Sequence, residues 1–286
     1  MQIIRQLSAL RERTRLIRES GKTIALVPTM GALHEGHMAL VDLARRHADH
    51  VIVSLFVNPR QFGPNEDLAK YPRSEEADAA RLAEAGVAAL WMPPVSEVYP
   101  EGFATGVFVA GLSDVLCGAA RPGHFEGVTT VVAKLFNQIR PDVAIFGEKD
   151  WQQLVIIRRM VRDLDMEVEL VGLPILRDPD GLALSSRNAY LSGAERKAAL
   201  TLPQALQQAV AEIEKGADIG GALAAAKARI LSAGFGSVDY VALVDAASLE
   251  PLETLDRPAR LLGAARIGAT RLIDNFAVTP KNRPMR

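Results

Sequence analysis

Two histidines stand three apart in Pro28-Thr29-Met30-Gly31-Ala32-Leu33-His34-Glu35-Gly36-His37, after an apolar run and before a segment with helical spacing from Met38. Gly31 and Gly36 let backbone come close to a ligand, and a helix start offers N–H groups and a positive dipole end. That combination suits phosphate. Imidazoles can donate to its oxygens, more strongly when protonated. Two readings compete with it. One is a surface turn with incidental histidines; the other is a metal site shared with His47 and His50, which needs two helix faces to converge.

Three further clusters could do chemistry. Phe56-Val57-Asn58-Pro59-Arg60-Gln61-Phe62-Gly63 follows the second apolar run, and neutral amides at Asn58 and Gln61 match hydroxyl and carboxylate groups; Asn-Pro alone is also an ordinary turn. Gly147-Glu148-Lys149-Asp150 follows another run, where a lysine could neutralise charge on a transferring phosphoryl group and Asp150 could hold ribose hydroxyls or Lys149 itself. Read plainly, it is a solvated charge run opening a helix. In Leu184-Ser185-Ser186-Arg187-Asn188, two hydroxyls and a guanidinium in series make a flexible clamp for a triphosphate, or simply a helix cap.

Something must hold these clusters. Residues 23–27, 51–57, 88–92 and 143–146 read as buried strands, alternating with helical spacing over 38–46, 74–85 and 129–139. Ser74 before Glu75 and Glu76 looks like a capped helix start. The rhythm predicts an α/β fold, a doubly wound, Rossmann-like parallel sheet with right-handed crossovers. Residues 174–181 are the densest turn-former cluster, which places a boundary between residues 1–174 and a smaller α+β lid domain, 175–286. In the latter, 193–233 have helical spacing, and 238–244 and 266–276 alternate as strands. Ile3, Ile4, Leu7 and Leu10 suggest one N-terminal helix, and residues 279–286 a loose terminus.

Composition excludes several classes. The 286 residues are 49% hydrophobic and 23% charged, unlike a disordered chain or a coiled coil. Thirty-three basic residues against 34 acidic ones leave a net charge of -1, so no charge excess draws the chain onto nucleic acid or an anionic membrane. No apolar stretch approaches the roughly 20 residues a membrane helix needs. The single cysteine, Cys117, cannot form an intrachain disulfide, which suits the cytoplasm.

Taken together, these motifs, with Leu116-Cys117-Gly118 and Arg121-Pro122-Gly123-His124-Phe125, make the chain resemble the pantoate–β-alanine ligase family from end to end. His-x-Gly-His alone names only the nucleotidyltransferase superfamily; its combination with Asn-Pro-x-Gln-Phe and Gly-Glu-Lys-Asp is specific. The departures are Leu184 for a frequent methionine and Arg177-Asp178-Pro179-Asp180 for the commoner Arg-Glu-x-Asp. The resemblance implies that ATP and pantoate give pantoyl adenylate and pyrophosphate, and that β-alanine then displaces AMP. By the same resemblance Met30, Gly31, Ala32, Leu33, His34, Glu35, Gly36 and His37 line the ATP site. Gly147, Glu148, Lys149, Asp150, Leu176, Leu184, Ser185, Ser186 and Arg187 complete it.

His37, His34, Lys149 and Arg187 are then the catalytic candidates, with His37 as proton donor. Gln61 and Gln153, with Asn58, would bind pantoate, and Pro28, Met30, Val131, Val132 and Phe146 could wall its methyl groups. Mg2+ accompanies ATP in this scheme, with Asp78 as a candidate ligand on an otherwise solvated helix, and a homodimer is expected. A nucleotidyltransferase of another specificity, and a noncatalytic nucleotide- or tRNA-binding module, are the competing functions.

Overall fold

The computed structural model describes residues 1–280 except Asn65, Lys70 and Arg73. Of the expected loose terminus, 279–286, residues 281–286 lie outside the described residues. The chain divides into two compact units: Met1–Glu148 with Gln153–Pro174, and Lys149–Gln152 with the chain from Ile175 onward.

The first unit holds β1 (Gln2–Ile4), β2 (Ile24–Thr29), β3 (His50–Leu55), β4 (Ala89–Trp91), β5 (Val143–Gly147) and β6 (Glu169–Leu173) in one sheet, ordered β1-β4-β3-β2-β5-β6. Every pairing is parallel. β2, β3 and β5 are nearly continuous apolar runs, as strands covered on both faces must be. Helices flank the sheet: α1 (Leu7–Glu19), α2 (Glu35–His47), α3 (Glu75–Glu84), α4 (Val95–Val98), α5 (Cys117–Ala120), α6 (His124–Ile139) and α7 (Trp151–Asp163), the last continuing from the second unit into the first. On one side Leu40, Val41 and Ala44 of α2 and Leu82 of α3 share a core with Val27, Val53, Leu90 and Ile145. The chain runs outward from β2 to β3 and β4, then returns to β5 on β2's other side. That reversal puts a topological switch between β2 and β5, where open parallel sheets bind ligands beyond the strands' carboxyl ends.

The second unit contains α8 (Gly193–Ala199), α9 (Thr201–Glu214) and α10 (Ile219–Ser232), with an antiparallel sheet of β7 (Ser237–Asp245), β8 (Ala259–Ile267) and β9 (Thr270–Val278). Leu202, Leu206, Ile230, Leu261 and Leu272 lie in its core. The expected α/β fold with a smaller α+β domain is therefore observed.

Four details differ from the sequence reading. The N-terminus is a strand, β1, before helix α1 starts at Leu7, because Ile4 pairs into the sheet opposite Trp91. β6 is not among the expected strands: its residues are exposed or only partly buried, and Gly172 interrupts its apolar run. The single strand expected over 266–276 is two, folded at Gly268, whose φ of 52° suits a tight turn. Ser74 occupies the N-cap of α3 without a side-chain cap bond.

Candidate active site

The turn after β2 is built from glycine and histidine geometry. Gly31 has φ of 87°, and a Cβ there would sit 3.3 Å from both the Asp78 carboxylate and the Leu55 side chain. Ala32 follows with φ of 52°. His34 is the N-cap of α2: its Nδ1 accepts from Gly36 N–H at 3.1 Å, while His37 Nδ1 accepts from His34 N–H at 3.3 Å. The ring centroids lie 4.1 Å apart. Because both Nδ1 atoms accept, each neutral ring carries its proton on Nε2, so both imidazoles have an Nε2–H donor.

Three of the turn's backbone N–H groups are bonded within the protein. Ala32 and Leu33 N–H groups donate to Asp78 at 2.8 and 2.9 Å, and Gly36 N–H is used by His34. The imidazoles add Nε2–H donors to the turn. A zinc-like site with His47 and His50 is set aside. His34 and His37 sit at the start of α2 and His47 at its end, about 1.5 Å per residue away along the axis. Among the described residues no group of three His, Cys, Asp or Glu side chains could hold a metal ion.

Asp78 is not on a solvated face. It is 2% exposed, and each carboxylate oxygen accepts a backbone N–H of the turn, so it anchors the loop. Arg81, one turn further along α3, donates to Leu33 O at 2.7 Å and pairs with Glu35. A clue existed in the sequence: Asp78 lies four residues before buried Leu82, on the inward face of α3.

The turn after β3 carries Gln61 in a short 3-10 segment, Pro59–Gln61. Asn58 is 1% exposed. Its Nδ2 donates to Gln61 Oε1 and Gly127 O, and its Oδ1 accepts from Arg60 N–H and the Tyr99 hydroxyl. An amide has two donors and two acceptor positions, so Asn58 is fully used within the protein. One of those bonds orients the Gln61 amide. Burial raises the Tyr99 phenol to about 12, with Arg60 opposing, so it remains a donor.

Gln61 Nε2 lies 2.8 Å from Met30 Sδ, which joins this turn to the first. Gly127 explains the close approach of α6: a Cβ there would fall 2.3 Å from Arg60 O. Beneath Gln61, His124 Nδ1 lies 2.8 Å from Gln61 O, and Arg121 pairs with Glu66 at 2.6 Å. Burial pushes the Glu66 carboxyl up, but the Arg121 guanidinium outweighs it and holds it at about 2. Of the apolar wall candidates, Val131, Val132 and Phe146 are core residues, whereas Pro28 and Met30 are half-buried. Gln153 is half-buried in the first turn of α7.

A profile of the pantoate-beta-alanine ligase family matches residues 2–277. The chain belongs to that family. It is 62% identical over 280 residues to the pantothenate synthetase of Rhizorhabdus wittichii, covering 98% of this chain and 99% of that one. Over 278 residues it is 62% identical to the pantothenate synthetase of Sphingopyxis alaskensis, covering 97% and 100%. Among solved structures, the pantothenate synthetase of Thermus thermophilus superposes with a TM-score of 0.92 at 47% identity, covering 98% of this chain and 100% of that one. The pantoate-beta-alanine ligase of Francisella tularensis, complexed with beta-gamma ATP and β-alanine, gives 0.82 at 34% identity, covering 96% and 97%.

In this ligase-family chain the remaining candidates lie in the second unit or at its edge. Gly147 ends β5, Glu148 ends the first unit's N-terminal segment, and Lys149 and Asp150 belong to the second unit. Residues 149–152 group with the chain beyond 175, whereas the expected boundary puts them in 1–174. Leu176 O accepts from Leu184 N–H at 2.9 Å, and Arg177 bridges to Ala183, so residues 176–184 form a small ladder and not a loose junction. Arg177 forks onto Asp274 at 2.6 and 2.9 Å, and Arg196 holds Asp178 and Asp180. Ser185 Oγ accepts from Arg187 N–H at 3.3 Å and caps the short 3-10 segment Ser186–Tyr190. Asn188 Nδ2 ties that segment to Ala183 O.

Proposed function

We propose that the chain joins pantoate to β-alanine in two steps on one site, making pantothenate. In the first, pantoate's carboxylate attacks the α-phosphate of ATP in line, forming pantoyl adenylate and releasing pyrophosphate. In the second, the neutral amine of β-alanine attacks the acyl carbon and AMP leaves. Adenylation is needed because a carboxylate is a poor acylating agent, whereas the mixed anhydride carries a good leaving group.

In this reading His34 and His37 donate through Nε2–H to phosphate oxygens, and Lys149, Ser185, Ser186 and Arg187 meet the charge that builds on pyrophosphate. Gln61 and Gln153 bind pantoate's hydroxyl and carboxylate groups, with Met30 as its apolar neighbour. No carboxylate in the motifs is an evident base, so positioning carries the second step. Magnesium enters as the ATP complex: Asp78 is committed to the turn and no described side-chain cluster forms a cage, so no step is assigned to a resident metal. A homodimer in the cytoplasm is part of the same proposal, and light scattering tests the dimer.

The observation that carries the reading is the imidazole pair capping α2 within a family match over 2–277, on a turn whose Met30 meets a glutamine fixed by Asn58. ATP–pyrophosphate exchange with pantoate present and β-alanine absent tests it. Exchange is expected with pantoate alone; exchange that appears only on adding β-alanine would overturn the adenylate route. A stable nucleotidyl product without AMP would instead mark a nucleotidyltransferase of another specificity.

A further inference from the structure

Lys149 leaves β5 in the chain, yet it packs with the C-terminal unit, and side chains of that unit's sheet hold it there. Asn275 of β9 is 1% exposed and donates through Nδ2 to Lys149 O at 3.0 Å. Its Oδ1 accepts from Arg260 Nη1, also at 3.0 Å. The Arg260 guanidinium lies over the Trp151 ring, 3.6 Å from its centroid, and Trp151 Nε1 donates to Ala246 O at 3.1 Å. The peptide after Lys149 is therefore fixed at its carbonyl, and the chain is fixed again two residues later. With both anchors set, the direction in which Lys149 projects its side chain follows.

The neighbouring residue on β9 does the corresponding work on the other face, since successive strand residues alternate. Asp274, 3% exposed, holds the fork of Arg177, which begins the ladder leading to Leu184 and the Ser185–Arg187 segment.

We propose that Asn275 is a positioning residue for Lys149, and that Asp274 and Asn275 together fix the lysine and the Ser185–Arg187 segment as one body. This inference rests on the proposed role of Lys149, so its test must separate the two. Asn275→Asp keeps the shape and the acceptor for Arg260 but replaces the donor to Lys149 O with an oxygen that repels it. The experiment is a double-mutant cycle on pantoate-dependent pyrophosphate exchange, with Asn275→Asp and Lys149→Ala made singly and together, at saturating ATP and pantoate.

Asn275→Asp is expected to slow exchange roughly 10- to 100-fold with the KM for pantoate within about threefold, and to change the already slow Lys149→Ala enzyme by less than about twofold. Equal losses in both backgrounds would show a general structural role and overturn the positioning. A parental rate in Asn275→Asp would do the same. A parental rate in Lys149→Ala alone would remove the lysine reading and the inference with it. Should Asn275→Asp fail to fold, Arg260→Lys replaces it, retaining the bond to Lys149 O but removing the guanidinium that bonds Asn275 Oδ1 and covers the Trp151 ring. A several-fold loss confined to the Lys149-containing background is expected, and an equal loss in both overturns the proposal.

Discussion

Asp78→Asn separates an anchor from a metal ligand. The carboxylate is buried and accepts Ala32 N–H at 2.8 Å and Leu33 N–H at 2.9 Å. Asparagine keeps one acceptor and turns an NH2 toward the other donor. One charge-assisted bond disappears and one buried N–H loses its partner, a change of about 2–3 kcal/mol. At about 2–4 °C per kcal/mol for domains of this size, the melting temperature should fall by roughly 4–12 °C. If the same energy is lost from the geometry of the turn that holds His34 and His37, pyrophosphate exchange should slow roughly 30- to 160-fold, at 1.36 kcal/mol per tenfold. Both effects should be independent of magnesium concentration. A variant with the parental melting temperature whose rate returns on raising magnesium would refute the anchoring argument and make Asp78 a ligand of the ATP-bound ion.

His37→Ala should lower exchange by roughly 10²–10³, the scale of one preorganised donor lost; a rate within threefold of the parent removes His37 from the machinery. Gln153→Ala should weaken pantoate binding by about 1–3 kcal/mol and leave ATP binding largely unchanged in calorimetry, whereas equal losses would contradict its assignment. Glu66 ionises at about 2 in the fold against 4.5 ordinarily, so its contribution to stability is complete above about 4.5 and fades as pH falls toward 2. Urea unfolding at pH 7, 4 and 3 should show a steeper acid loss in the parent than in Glu66→Gln. ATP, but not pantoate alone, should protect residues 184–188 from hydrogen exchange, and Arg187→Ala should abolish that protection.

The residues proposed to touch substrates were legible because their types cluster along the chain: two imidazoles within four positions, Gly-Glu-Lys-Asp, Ser-Ser-Arg. The parallel sheet was legible for a related reason, since β2, β3 and β5 are apolar runs of a few residues bounded by turn formers. The groups that aim those residues were not legible. Asp78 reaches Ala32 across 46 positions, His124 meets Gln61 across 63, and Asn275 holds Lys149 across 126. Helical spacing could place Asp78 on an inward face, but nothing local names the partner, because a buried amide or carboxylate looks like any other polar residue until the fold supplies its bond.

Asn58 shows the consequence at one residue. Its type and place beside Gln61 matched a substrate group equally well, and only counting its four bonds turned it into a support. A buried polar residue must satisfy its bonding capacity somewhere, and each bond made to protein is one withheld from a ligand. Gln61 differs in this respect. Asn58 uses its oxygen, while its nitrogen meets, among the described residues, only the weak acceptor of Met30, an interaction that a hydroxyl or carboxylate of pantoate would readily replace. Asn58 thus fixes the amide's orientation by one end, and the other end keeps the freedom to exchange a poor partner for a better one.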